Sequence, residues 1–354
     1  MFLGKNSKNL RSLFTVFALA MTVILSSASI ADAQTPTTRL DDFVGDNRTD
    51  WTTLRFTTGG PIRWKVLGNP APAAPGAAFK RDFDYGLSTD DVTVGDYVGD
   101  SKSDPTVWRD TNATFYVGNF PLGTGGITLN RAVPFGNTTD TPGVQGDYDG
   151  DGKTDYTLVR VSGSSLVWYI LSSGTNTARA VTFGSLTGQT GVAVLPGADF
   201  TGDGRDELVF VVRTGAGAPV TYYIGDAVTG QGVITRTFGD FNDDFSVSPD
   251  DYTGDGRADF VAVRQTQGAT AIWYIANSQN TAVTATSFGI ADATFGGDGD
   301  LPVRGDFDGD GRHDICVWRE TNQTFYYISS MNGSIQGQKH GDAGDFPLGS
   351  FGLY

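Results

Sequence analysis

Polar and apolar positions along this chain do not fall into a helical period. Apolar residues come in short runs, such as Tyr156-Thr157-Leu158-Val159 and Phe260-Val261-Ala262-Val263, broken by clusters of Gly, Asn, Asp, Ser and Thr. Runs of this length, rich in aromatic and β-branched residues, predict strands buried on both faces and joined by tight turns. One stretch differs. Residues 13–25 are uncharged and mostly apolar, follow Lys5, Lys8 and Arg11, and precede Ala31-Asp32-Ala33. That order predicts a secretory signal peptide over residues 1–33, because the run is too short for a membrane span and no stop-transfer pattern follows. Residues 34–354 are then expected to form one domain.

The strand pattern repeats. Six units begin at Asp42, Asp96, Asp147, Asp199, Asp251 and Asp306, at spacings of 54, 51, 52, 52 and 55 residues. Each opens on Asp followed by an aromatic residue and an Asp-rich turn. A first strand follows and ends on Arg, at Arg55, Arg109, Arg160, Arg213, Arg264 and Arg319. Arg213 lies one residue further from its Asp than the others do, so the fourth unit carries an insertion. An aromatic strand comes next, as in Val167-Trp168-Tyr169-Ile170 and Ile272-Trp273-Tyr274-Ile275. The strand after that ends on Phe-Gly at residues 135–136, 183–184, 238–239 and 288–289. About four strands per unit, repeated radially, predict an all-β fold: a β-propeller of six four-stranded blades, with seven blades as the alternative. The tail Asp345-Phe346-Pro347-Leu348 resembles Asp300-Leu301-Pro302-Val303, a strand entering a loop, yet no seventh loop follows it. It is expected to pair with the first blade and close the ring.

The candidate chemistry lies in the turns. Unit three reads Asp147-Tyr148-Asp149-Gly150-Asp151-Gly152-Lys153-Thr154-Asp155, and unit six reads Asp306-Phe307-Asp308-Gly309-Asp310-Gly311-Arg312-His313-Asp314. Carboxylates at positions 1, 3, 5 and 9, with a backbone carbonyl at position 7 (Lys153, Arg312), match the oxygen ligands that Ca²⁺ takes. No Glu stands at position 12, so these are calcium loops between strands and not EF-hands. Units four and five keep the pattern with Thr at position 3: Asp199, Thr201, Asp203, Arg205 and Glu207, then Asp251, Thr253, Asp255, Arg257 and Asp259. In unit four, Asp206 beside Glu207 leaves the choice of ligand open. Units one and two retain Asp42, Asp46 and Asp50, and Asp96, Asp100 and Asp104, but depart from the pattern at Val44, Asn47, Val98 and Ser101.

Charge and composition narrow the functional classes. The formal net charge of −15 becomes −17 once the leader, with three basic residues and Asp32, is removed. Such acidity argues against nucleic acid as a partner, and calcium would absorb much of it. Cys316 is the sole cysteine, so no internal disulfide forms and metal is left as the staple of an exported fold. His313 and His340 are the only histidines, which leaves little for a His-based triad or zinc site. The strand-end arginines are expected to pair with nearby Asp residues or to stack on Trp and Tyr. Arg304-Gly305-Asp306 spells an adhesion tripeptide, but Asp306 is already assigned to a loop. An enzyme would be expected to carry a unique polar insertion, and the best candidate, residues 67–91, is Pro/Ala-rich.

The run from 146 to 155, followed by a strand to Arg and then Trp-Tyr-Ile, resembles the FG-GAP/VCBS-type repeats of exported bacterial proteins. The likeness covers essentially all of the chain from about Leu40. It implies a propeller with calcium in its turns and no catalytic role for the repeat itself. The expectation is therefore an exported, monomeric, non-catalytic calcium-binding module that engages an extracellular glycan or protein, in the periplasm or outside the cell. A structural surface or matrix protein and a polysaccharide-active enzyme are the alternatives.

Overall fold

The computed structural model describes residues 41–69, 79–120, 126–189, 191–213, 215, 218–240, 243–244, 248–291 and 299–350. The expected signal peptide lies outside the described residues, as does part of the Pro/Ala-rich stretch 67–91. Among the described residues, apart from two short 3-10 turns, every regular element is a strand. No described helix is long and apolar enough to cross a membrane.

The strands form six antiparallel sheets, the blades of a β-propeller. From the inner edge outward, blade two holds Asp91–Val92, Thr106–Arg109, Thr114–Asn119 and Thr128–Pro134. Blade four holds Val192–Ala198, Glu207–Arg213, Pro219–Gly225 and Gly232–Asp240. Blade five holds Asp243–Asp244, Phe260–Arg264, Thr270–Ala276 and Val283–Ile290, and blade six holds Leu301–Val303, Ile315–Arg319, Thr324–Ile328 and Ile335–Lys339. Blade three holds Tyr156–Ser162, Ser165–Leu171 and Ala178–Ser185, and its inner strand is reduced to a bridge between Thr141 and Val159.

Blade one closes the ring. Its strands Trp51–Phe56, Pro61–Leu67 and Lys80–Leu87 receive their inner partner, Phe346–Pro347, from the C-terminal tail. Thr53 pairs with Pro347 and Leu54 with Phe346. The repeats are thus out of phase with the blades: each blade's inner strand precedes its Asp loop in the chain. Among the described residues no strand upstream of loop one fills that place, and the tail fills it.

Packing explains the aromatic strand. Six buried clusters each join residues of two neighbouring blades. Trp168 of blade three packs with Leu208, Phe210 and Val212 of blade four, and Tyr222 of blade four with Phe260 and Ala262 of blade five. The last interface sets Trp51 of blade one against Phe307, 4.3 Å between stacked rings, and against Phe325. A blade alone could not bury these faces; the closed ring does, and hydrophobic burial holds it together. The indole N–H of Trp168 donates to the carbonyl of Phe183 at 3.0 Å, and that of Trp273 to Phe288 at 3.2 Å, which ties the aromatic strand to the Phe-Gly strand. Gly184 has φ 111° at a register shift, and a Cβ there would meet Leu166 at 2.9 Å. The Phe-Gly ending is therefore a bulge that only glycine fits.

Candidate metal centre

Five of the Asp loops connect an inner strand to the second strand of their blade, and loop one leads into the second strand of blade one, so all six share one face of the ring. The strand-end arginines share the other. Each loop is built on its first Asp. In loop three, Asp147 Oδ1 accepts the amides of Gly150 and Asp151, and Oδ2 accepts that of Gly152. Asp42, Asp96, Asp199, Asp251 and Asp306 accept the same three amides of their own loops. Two left-handed residues make each turn possible. Position 6 has φ 82° at Gly152 and φ 88° at Gly311, and Asn47 and Ser101 adopt φ 68° and 64° without being glycine. The departures in loops one and two leave the backbone path unchanged.

The carboxylate at position 9 closes the loop. One oxygen of Asp314 accepts the amides of Phe307 and Asp308, and the other accepts that of Ser330, in the turn beyond the third strand. Asp155 has the same reach to Tyr148 and Ser173. In loop four it is Glu207 that accepts from Phe200 and Thr201. Its neighbour Asp206 turns away to accept the amide of Asp147 in loop three, which resolves the ambiguity of that pair.

Four loops draw three carboxylates together with one oxygen of each within 4.8 Å of the others. These are Asp42, Asp46 and Asp50; Asp147, Asp149 and Asp155; Asp199, Asp203 and Glu207; and Asp306, Asp308 and Asp314. Loops three and six use position 3, while loops one and four use position 5. Asp310 instead pairs with Arg312, and Ser330 also donates to it; these bonds outweigh its burial and hold its carboxyl below the usual range. Asp151 stands free of the loop-three cluster, and the Lys153 amide donates to it. In loops two and five no such cluster forms among the described residues. Asp100 is drawn to Lys102 at 3.1 Å, and Asp255 to the Asn277 side chain at 2.6 Å.

Burial makes these anions costly. It pushes the carboxyl of Asp50 up to about 8, those of Asp104, Asp155, Glu207 and Asp314 to about 7, and that of Asp259 to about 6. Asp147 is raised to about 6 for the same reason, and neighbouring carboxylates add to most of these shifts. Clustered, dehydrated carboxylates that still keep their amide donors are the donor set a hard divalent cation fits. Asp147, Asp149 and Asp155, or Asp306, Asp308 and Asp314, would hold it. The ion would supply the positive charge the cluster lacks.

The loops also form a chain around the ring. The position 8 amide of each loop donates to the position 1 carbonyl of the preceding loop: Thr49 to Asp306, Ser103 to Asp42, Thr154 to Asp96, Asp206 to Asp147, Ala258 to Asp199 and His313 to Asp251, all at 2.7–2.8 Å. The position 7 side chain follows the same direction. Lys102, Lys153, Arg205, Arg257, Arg312 and Arg48 lie over the position 4 glycines Gly45, Gly99, Gly150, Gly202, Gly254 and Gly309 of the loop before. Position 7 thus does more than offer a carbonyl: its side chain caps the neighbouring loop.

On the opposite face the arginines pair as expected, but within blades. Arg109, Arg160, Arg264 and Arg319 each make two bonds to Asp90, Asp140, Asp243 and Asp300, the residues at the head of the inner strand. Each also lies 4.3–4.9 Å from the ring centre of Tyr116, Tyr169, Tyr274 or Tyr326 on the third strand of the same blade. The four Asp partners carried no motif of their own in the sequence. Only their distance upstream of each Arg could have singled them out.

A family model matches the loop repeats. The family model described as FG-GAP-like repeat matches residues 147–210 and 251–317, two windows that each begin on the first Asp of a loop and contain two loops. The chain therefore carries FG-GAP-type repeats on a β-propeller. No curated protein matches it. Among solved structures it is similar to TolB from Acinetobacter baumannii, at 14% identity and TM-score 0.47, covering 86% of this chain and 66% of that one. It thus spans just under two thirds of that protein's length. It is also similar to a protein from Lactobacillus plantarum, at 11% identity and TM-score 0.34, covering 82% of this chain and 85% of that one.

Proposed function

We propose that this FG-GAP-type repeat propeller is an exported, non-catalytic module that binds calcium in its Asp loops and an extracellular glycan or protein on its surface. The observation that carries the calcium reading is the gathering of three carboxylates around one point in four loops, under burial that raises their carboxyls. Loops three and six, with Asp at positions 1, 3, 5 and 9, are the principal sites. A metal held at the junction of inner and second strands would brace each blade at its base, as a disulfide does in other exported domains.

The non-catalytic reading rests on how the polar groups are used. The arginine-paired carboxylates are engaged in both oxygens, the loop carboxylates accept backbone amides, and the buried His340 ring contacts the Lys65 carbonyl. Export, to the periplasm or beyond the cell, rests on the predicted leader. A glycan and protein array probed with the calcium-loaded protein tests the binding role. Reproducible capture of one ligand class supports it; no capture, with turnover of a polysaccharide instead, replaces it with an enzyme.

A further inference from the structure

Apart from the loops and the arginine pairs, a group of buried polar side chains converges on one cavity. Inner-strand segments of blades one, two, three, four and six enclose a cavity of about 40 Å³, where a single water needs roughly 10–15 Å³. Lining residues drawn from five blades place it on the axis of the ring. Five side chains on its wall carry a buried polar atom with no hydrogen-bond partner among the described residues: Asp41 Oδ1, Thr93 Oγ1, Gln145 Nε2, Thr154 Oγ1 and Arg304 Nε. Asp41 is 2% exposed and Thr93 and Thr154 are each 1% exposed. Buried polar groups are ordinarily paired with protein, water or ligand, and five of them converge on this one cavity.

We propose that this axial cavity binds a neutral polyhydroxyl ligand, the ring of a free or chain-terminal sugar. The proposal deepens the binding-module reading and rests on it. Asp41 accepts, Arg304 and Gln145 donate, and the two threonines do either. A hydroxyl, like water, both donates and accepts and so meets all of them, and the aliphatic walls between them favour a sugar over water alone. An anion would face the Asp41 carboxylate, and a cation would face the Arg304 guanidinium. The guanidinium is held in place by a 2.7 Å bond from Nη1 to Ser248 Oγ, which leaves Nε for a ligand. Between the polar groups stand Val92, Val94 and Pro196, aliphatic surfaces suited to the C–H faces of a sugar ring. Asp41 is held at φ 66°, a conformation rare for a residue other than glycine and better tolerated by Asp and Asn.

Titration calorimetry and saturation-transfer NMR on the calcium-loaded protein test this with glucose, galactose, mannose, rhamnose and N-acetylglucosamine, and with glycine as a zwitterionic control. At least one sugar is expected to bind with a millimolar or tighter Kd. Arg304→Gln, Thr93→Val and Asp41→Asn should each weaken it roughly tenfold or more, as loss of a buried bond to a ligand does. Thr93→Val keeps the side-chain shape and Asp41→Asn keeps the left-handed backbone, so at least these two should fold. Failure of every sugar to bind, or preference for glycine, overturns the proposal. Sugar binding that all three variants leave intact also overturns it, while the binding-module reading survives with its ligand elsewhere. An array on which nothing binds sinks the wider reading as well.

Discussion

Asp345 and Arg55 are 290 residues apart in the chain, and Oδ1 of the first lies 2.7 Å from Nε of the second. Compared blade by blade, this pair stands where Asp90–Arg109, Asp140–Arg160, Asp243–Arg264 and Asp300–Arg319 stand in their own blades. The C-terminal tail therefore brings blade one both its inner strand and the carboxylate that clamps it. Lys65 adds a second bond to Asp345 at 2.7 Å. In blade four Gly191 occupies the equivalent place, and the Arg213 amide donates to its carbonyl.

The closure pair gives the first prediction. The Asp345 side chain is fully buried and that of Lys65 nearly so, whereas that of Arg55 is 37% exposed. Asp345→Asn leaves the buried Lys65 ammonium only the exposed Asp342 carboxylate, 2.5 Å away, and should cost about 3 kcal/mol, at the low end for a broken buried pair because that partner remains and Arg55 can turn to water. For a domain of this size that lowers Tm by roughly 4–6 °C. Asp84→Asn, which breaks an exposed pair with Arg63, should change stability by less than about 1 kcal/mol. Thermal melts of both variants decide it, and equal effects would mean that the tail does not hold the ring.

Much of this architecture was legible in the sequence. The spacing of Asp42, Asp96, Asp147, Asp199, Asp251 and Asp306 set six blades, and the likeness of residues 345–348 to residues 300–303 announced the closing strand. The loop pattern located the first Asp and the position 9 acid in every unit. What escaped was carried by the backbone or by long reach. The bond from the His313 amide to the Asp251 carbonyl has no side-chain signature, so the chain of loops was invisible. The side chains at Asp41 and Arg304 converge only once the ring closes, and neither belongs to a repeated motif. Asp206 and Glu207 could not be told apart by spacing, because the choice depends on which of them faces loop three.

Calcium should raise the stability of the protein from Gln34 onward. At an ion concentration 100 times the Kd, one site contributes about 2.7 kcal/mol, so two filled loops should move Tm by well over 5 °C relative to chelator. Asp155→Asn together with Asp314→Asn should remove most of that rise and at least one ion by direct count. A melt that ignores both calcium and chelator would leave the loops as turns alone.

The metal-free protein should lose stability as pH rises. The carboxyls of Asp155, Glu207 and Asp314 sit near 7 and that of Asp50 near 8 in the folded chain, above the value of about 4 expected when unfolded. Each binds its proton more tightly when folded. Its contribution is complete below about pH 4 and disappears as pH climbs through 7 to 8. Denaturant melts in chelator should accordingly show higher stability at pH 5 than at pH 8. Saturating calcium should narrow or reverse the difference, since the ion binds the deprotonated loops. Equal stability at the two pH values in chelator would contradict the buried-carboxylate account.

The chain of loops predicts that damage to one is felt by the next. Gly150 and Gly152 both lie in loop three, with φ 77° and 82°, so alanine strains the backbone equally at either. They differ in what a Cβ would meet. At Gly150 it would lie 2.7 Å from Arg205 Cγ of loop four, and at Gly152 nothing stands within 4 Å. Gly150→Ala must displace Arg205, and with it the segment whose Asp206 amide donates to the Asp147 carbonyl. It should therefore weaken calcium binding in loops three and four, whereas Gly152→Ala should affect loop three alone. Ion counting and calorimetric titration of the two variants separate the cases: two sites lost or weakened for Gly150→Ala against one for Gly152→Ala. Because every loop donates to its predecessor, the unmodified protein should also bind calcium with a Hill coefficient above one. Independent, identical isotherms in all three proteins would show that the loop-to-loop bonds transmit nothing.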